Sequence, residues 1–180
     1  MTQYKFTVKD GTKILLRQPR LTDAKIAKEY INSFVGEKKS GFLINERVSF
    51  KNENSWLKKI ISDIKKKQLV FLFAETNGKI VGSCEIRQMS AKHSHRATFG
   101  IGVIKNMRRK GLGNELCRRT ISLAKKKLHK LEIIELSHFS YNKRAHALYN
   151  KIGFKIIGKI PRAVKDAGNY YSEIMMQLNL

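Results

Sequence analysis

The stretch from Phe99 to Leu123 constrains the fold most. An apolar run, Phe99 to Ile104, leads into the basic, glycine-containing segment Arg108-Arg109-Lys110-Gly111-Leu112-Gly113, after which Leu112, Leu116, Thr120 and Leu123 recur at helical spacing. A strand therefore enters a turn that opens a helix. Unpaired amides at a helix N-terminus, backed by the helix dipole, favour an anion, and Gly111 and Gly113 let a phosphate approach the main chain. Asn114-Glu115-Leu116 follows Gly113, so the third glycine of a dinucleotide fingerprint is missing, as is the Gly-Lys-Ser/Thr of a nucleotide P-loop. The cradle suits neither NAD nor ATP.

Periodicity supplies the remaining elements. Lys13 to Arg17 reads as a strand, and Thr22 as the cap of a helix with Ile26, Ala27, Tyr30, Ile31 and Phe34 on one face. A second helix is expected from about Asn54, with Leu57, Ile60, Ile61 and Ile64 inward and Lys58, Lys59 and Lys65 to Lys67 outward. The segment 36–50 between them has no clear period. Leu69 to Ala74 and Lys79 to Met89 read as strands joined at the tight turn Asn77-Gly78. Ala97 to Ile104 and Glu132 to Phe139 flank the motif helix, Asn142 to Lys151 forms a short helix ending at Gly153, and Phe154 to Ile160 and Tyr170 to Leu178 close the chain as strands. No repeat or linker divides this succession. It predicts one α/β domain over residues 1–180, a mixed central sheet of about seven strands with helices on both faces.

A chain of 180 residues with 42% hydrophobic and 28% charged residues can bury a sizeable core and is not disordered. Lacking the apolar core of a signal peptide and any membrane-span pattern, it reads as a soluble, cytoplasmic protein with no membrane partner. Cys84 and Cys117 read as core positions, and His93 and His95, with no third ligand nearby, as an exposed loop, so no metal is expected. The net charge of +23 admits a rival function, a basic nucleic-acid-binding module. Ten Lys or Arg and one acid lie between Lys105 and Lys130, a balance of +9 concentrated on the helix that starts at the cradle. The rival explains the charge but not the motifs, leaving nucleic acid as a nonspecific partner of the basic surface.

The pattern Arg-x-x-Gly-x-Gly from Arg108 to Gly113 is joined, thirty residues on, by Asn142-Lys143-Arg144-Ala145 running into Leu148-Tyr149-Asn150-Lys151-Ile152-Gly153-Phe154. Together, in this order and at this distance, the two segments resemble the shared motifs of the GNAT superfamily of N-acetyltransferases. The resemblance implies central strands that splay apart and acetyl-CoA as co-substrate. It also implies cofactor contacts from Arg108, Arg109, Lys110, Gly111, Leu112, Gly113, Asn114 and Asn142, with backbone groups of Ile101, Gly102 and Val103 offered to the pantetheine arm. The acetyl group would pass directly to a primary amine on a small molecule, an amino acid or a protein N-terminus. A homodimer is compatible with this reading.

Such a transfer needs two proton movements. An amine with a pKa of about 10.4 is free base in roughly one molecule in two thousand at neutral pH, and the departing thiolate must be protonated. By the resemblance Tyr149, seven residues after Asn142, is the acid. Where some family members carry a basic glutamate this chain has Ser137, so the role passes to Glu85, with Glu135, His138 and Glu173 as weaker candidates. A member that binds acyl-CoA without turnover, acting as a sensor, is the remaining alternative.

Overall fold

The computed structural model describes residues 3–37, 41, 46–166 and 168–180. Its strands are β1 (Gln3–Thr7), β2 (Lys13–Arg17), β3 (Leu69–Thr76), β4 (Lys79–Gln88), β5 (Arg96–Val103), β6 (Ile133–Phe139), β7 (Lys155–Asp166) and β8 (Asn169–Asn179). The helices are α1 (Ala24–Asn32), α2 (Phe50–Lys65), α3 (Leu112–Lys127) and α4 (Lys143–Ile152). One sheet runs in the order β1-β2-β3-β4-β5-β6-β8-β7. All neighbours are antiparallel except β5 and β6.

This is a sheet of eight strands where about seven were expected. The additional strand is β1, in which Tyr4 and Phe6 alternate with polar residues and pack on the core while the strand pairs with β2. Two helix starts also differ from the expected ones. Thr22 lies within a 3-10 turn, Leu21–Asp23, and it is Asp23 that holds the entry to α1. Its carboxylate accepts from the Arg20 amide at 2.7 Å and takes the buried Arg17 guanidinium bidentately at 2.7 and 2.8 Å. Helix α2 begins at Phe50, four residues before Asn54, because Ser49 Oγ accepts from the Asn52 amide at 3.2 Å. Residues 38–40 and 42–45 of the aperiodic segment lie outside the described residues.

Other turns and caps follow the sequence. Asn77 and Gly78 are both left-handed, with φ of +48° and +71°, as a two-residue hairpin loop requires. Asn142 Oδ1 caps α4 by accepting from the Ala145 amide at 3.2 Å, and Gly153, φ +111°, ends it. Two apolar layers sandwich the sheet. Helices α1 and α2, with the turn that follows α1, bury Ala27, Phe34, Leu57 and Ile60 against Phe71 and Phe73. On the other face Leu112, Leu116, Leu123 and Tyr149 from α3 and α4 meet Leu72, Ile86, Ile134 and Phe154. Each fully buried leucine contributes about 1.5–3 kcal/mol relative to exposure. Cys84 and Cys117 are buried with free thiols.

Strands β5 and β6 pair only from Arg96 with Ile133 to Thr98 with Glu135, whereas β4 pairs with β5 as far as Val103. Past Thr98 the two strands part, and the opening lies beside the turn that starts α3. Among the described residues, no helix is long and apolar enough to cross a membrane.

Candidate functional site

The turn before α3 is built to expose its main chain. Gly111 is left-handed at φ +91° with open space where a Cβ would lie, and Arg109 also adopts a positive φ, +66°. Gly111 occupies the N-cap position without a side-chain cap, and among the described residues the amides of Leu112, Gly113 and Asn114 have no backbone acceptor. These amides can take an anion. Gly113 serves a second purpose: a Cβ there would lie 3.3 Å from Leu148 Cδ2 and 3.9 Å from Ile101 Cδ1, so its bareness lets α3, α4 and β5 converge.

The three basic side chains of the turn have separate fates. The Arg108 guanidinium forms a bidentate pair with Glu37 and donates from Nε to the Val103 carbonyl at 2.8 Å. The Arg108 pair holds the Glu37 carboxyl below the usual carboxylate range. Lys110 Nζ lies 2.7 Å from Asp10 of the β1–β2 loop. Arg109 is exposed and makes no side-chain bond among the described residues, leaving it the cation of the turn available to a ligand.

On the α1/α2 face of the sheet lies a cleft of about 450 Å³. Glu85, Ser83, Gly100, Ile101 and Gly102 line its sheet side, and Tyr30, Glu53, Trp56 and Phe71 are among the residues that enclose it. Glu85 and Gly100 are paired across β4 and β5, and the Glu85 Cγ would lie 3.4 Å from a Cβ at residue 100. The bare glycine thus makes room for the carboxylate. Burial pushes Glu85 up from the ordinary carboxylate pKa, and Arg87, 4.0 Å away, offsets part of the shift. Arg87 is itself held at 2.5 Å by Asp63. The Tyr30 hydroxyl and Ser83 Oγ share a hydrogen bond of 2.9 Å in the cleft.

Tyr149 does not line this cleft. Its ring meets Phe99 edge-on at 5.9 Å and lies 5.8 Å from His138 and 5.9 Å from Phe154. Phe99 is the first residue of β5 beyond the last pair with β6, so the phenol sits where the strands part. Desolvation raises its pKa far above the ordinary tyrosine value, and the hydroxyl stays protonated at neutral pH.

The weaker base candidates are all engaged elsewhere. Glu135 is clamped bidentately by Arg96 at 2.6 Å, and Glu173 accepts from Ser137 Oγ. His138 Nδ1 lies 3.1 Å from the Phe139 carbonyl, which can only accept, so neutral His138 carries its proton there. Its Nε2 then accepts from His146 Nδ1 at 3.0 Å, and Asn150 donates to His146 Nε2 at 3.0 Å. Desolvation lowers the His138 pKa, consistent with a neutral His138. His93 Nδ1 lies 3.3 Å from Arg96 in an exposed turn, and the described residues contain no group of three metal-ligating side chains.

None of the candidate site residues read from the sequence lies on the α1/α2 wall of the cleft. Glu53 is the clearest omission, and a signal was present: Glu53, Leu57, Ile60 and Ile64 share one helical face, so an acid stands at an inward position of an apolar stripe.

Residues 37–154 match the model of the acetyltransferase (GNAT) family. The chain is 30% identical over 131 residues to the L-amino acid N-acetyltransferase AaaT of Escherichia coli (strain K12), covering 72% of this chain and 78% of that one. Its fold superposes on an acetyltransferase of the GNAT family from Streptococcus pneumoniae with a TM-score of 0.82 at 24% identity, over 93% of this chain and 99% of that one. It also superposes on yncA, a putative acetyltransferase from Salmonella typhimurium solved with its cofactor acetyl-CoA, with a TM-score of 0.79 at 20% identity, over 93% and 94% of the two chains.

Proposed function

The chain belongs to the acetyltransferase (GNAT) family and is an acetyl-CoA-dependent N-acetyltransferase, and on that footing we propose that Glu85 takes the acceptor's proton while Tyr149 supplies one to the departing thiolate. The observation that carries this reading is the double position of Ile101. Its side chain approaches Gly113 in the anion cradle, and the same residue lines the cleft that holds Glu85. A substrate with its phosphates at α3 and its arm between β5 and β6 therefore brings its acyl end to the wall between Glu85 and Tyr149.

The cradle fits such a substrate on its own chemistry: a free left-handed glycine, a turn of open amides and Arg109, which has no side-chain bond among the described residues. Main-chain groups of Ile101, Gly102 and Val103 border the opening, and the Asn142 cap fixes the start of α4 beside it. The acceptor amine enters the cleft on the α1/α2 face. Glu85, ionised, accepts its proton directly or through water, and the free amine attacks the thioester carbonyl. The bond to sulfur then breaks, the Tyr149 hydroxyl, kept protonated by its apolar surroundings, donates to the thiolate, and the second proton released by the acylated nitrogen returns to the tyrosinate through water. The relative named as an N-acetyltransferase supports a primary amine as acceptor.

The test is acetyl-CoA-dependent release of free coenzyme A thiol with a panel of primary amines, beside thermal protection by acetyl-CoA. A ligand at about a hundred times its dissociation constant adds roughly 2.7 kcal/mol of apparent stability. Binding without thiol release for any amine would favour the sensor reading.

A further inference from the structure

Glu53 is the polar group of the cleft that this chemistry leaves unused. The apolar stripe of α2, with Leu57 and Ile60, carries it inward, where it is 6% exposed. Its carboxylate has no hydrogen bond or ion pair among the described residues, although it lines the cleft. The other buried acids differ: Asp23 is held by Arg17, and Asp63 by Lys59 and Arg87. Burial alone pushes Glu53 up to about 6, so at neutral pH it is chiefly ionised. An isolated buried carboxylate is costly, and its natural complement is a cation.

The surroundings point the same way. Tyr30, Trp56, Phe71 and Phe73 line the cleft, and aromatic rings attract cations. In a chain of net charge +23, none of the described lining residues is Lys or Arg. Among the described lining residues a ligand carboxylate would therefore meet two carboxylates, Glu53 and Glu85, and no cation to receive it.

We propose that Glu53 sets the acceptor class: it draws in the ammonium of a primary amine with an apolar body and no neighbouring carboxylate, and it turns away free amino acids. The inference rests on reading this cleft as the acceptor site. Two sources share this chemistry, small apolar amines and the N-terminal residue of a peptide, whose carboxyl is tied up as an amide. Discrimination comes from repulsion as much as from attraction.

The experiment measures binding and turnover separately. The protein saturated with coenzyme A is titrated calorimetrically with phenethylamine, L-phenylalaninamide, a peptide beginning with phenylalanine, and L-phenylalanine. The same four compounds are then assayed for thiol release from acetyl-CoA. The expected result is that carboxylate-free compounds outperform L-phenylalanine by about tenfold or more, and that Glu53→Gln weakens them while narrowing the gap. The wild-type series decides the class without any variant, and a thermal melt establishes that Glu53→Gln is folded. Preference for phenethylamine assigns the small-amine source, and preference for the peptide assigns the N-terminal source. L-Phenylalanine binding as well as its amide, an unchanged gap in folded Glu53→Gln, or no binding by any of the four overturns the proposal. Selective binding without thiol release would instead favour the sensor reading and leave the class of amine bound by the cleft standing.

Discussion

Gly113 on the first turn of α3 lies against Leu148 of α4, so closely that a Cβ at residue 113 would stand 3.3 Å from Leu148 Cδ2. Gly111, two residues earlier, has open space at its own Cβ position but a φ of +91°. The two glycines of one motif are thus constrained by different physics, contact at one and backbone conformation at the other. Gly113→Val should overpack the α3–α4 contact and cost about 1–3 kcal/mol, partly recovered by Leu148→Ala. Gly111→Val should weaken acetyl-CoA binding more than it lowers the melting temperature, because it strains and crowds the cradle outside the core. Thermal melts with and without acetyl-CoA separate the two. Equal behaviour of both variants would contradict the division.

Arg108→Ala should act mainly on stability. Its guanidinium is committed to Glu37 and the Val103 carbonyl, and charge-assisted bonds of this kind contribute about 1.5–3 kcal/mol. For a chain of this length that corresponds to a fall of roughly 3–10 °C in melting temperature. Because the pair depresses the Glu37 pKa, its contribution is present above the ordinary carboxylate pKa and is lost as pH falls through the lowered value. The stability gap between wild type and Glu37→Gln should therefore close on acidification below about pH 4. A gap that persists there would show that the carboxylate charge is not what holds Arg108.

Glu85→Gln should lower turnover and leave acetyl-CoA affinity nearly intact. Glu85 must be ionised to accept a proton, and burial raises its pKa, so wild-type activity should climb with pH above the ordinary carboxylate range. At alkaline pH more of the acceptor is already free base, and the deficit of the variant should shrink. Rate profiles against pH for both proteins check this. Coincident profiles would assign Glu85 to the wall of the cleft alone.

Tyr149→Phe should retain acetyl-CoA binding and lose roughly a hundredfold to ten-thousandfold in turnover. The ring contacts with Phe99, His138 and Phe154 survive the change, so the melting temperature should move little. The loss should appear equally in kcat and kcat/KM, as for a group acting chiefly in the transition state. An undiminished kcat in the folded variant would make Tyr149 a packing residue.

What could be read from the chain was local in origin. The strand, turn and helix from Phe99 to Leu123, the Asn77-Gly78 hairpin and the Asn142 and Gly153 caps of α4 arise from periodicity and backbone preference over a few residues. Tertiary structure decided which charges were free. Arg108 and Glu37 are 71 residues apart in sequence, Arg96 and Glu135 are 39 apart, and sheet and helix packing brings each pair together, so that both the Arg108 and the Glu135 side chains have partners within the protein. The same packing left Glu53 without a partner among the described residues, in an aromatic-walled cleft. Spacing along a chain fixes which residues share a face, but whether a buried charge meets its counter-charge depends on elements distant in sequence. That pairing separates a structural ion from one left to meet a ligand.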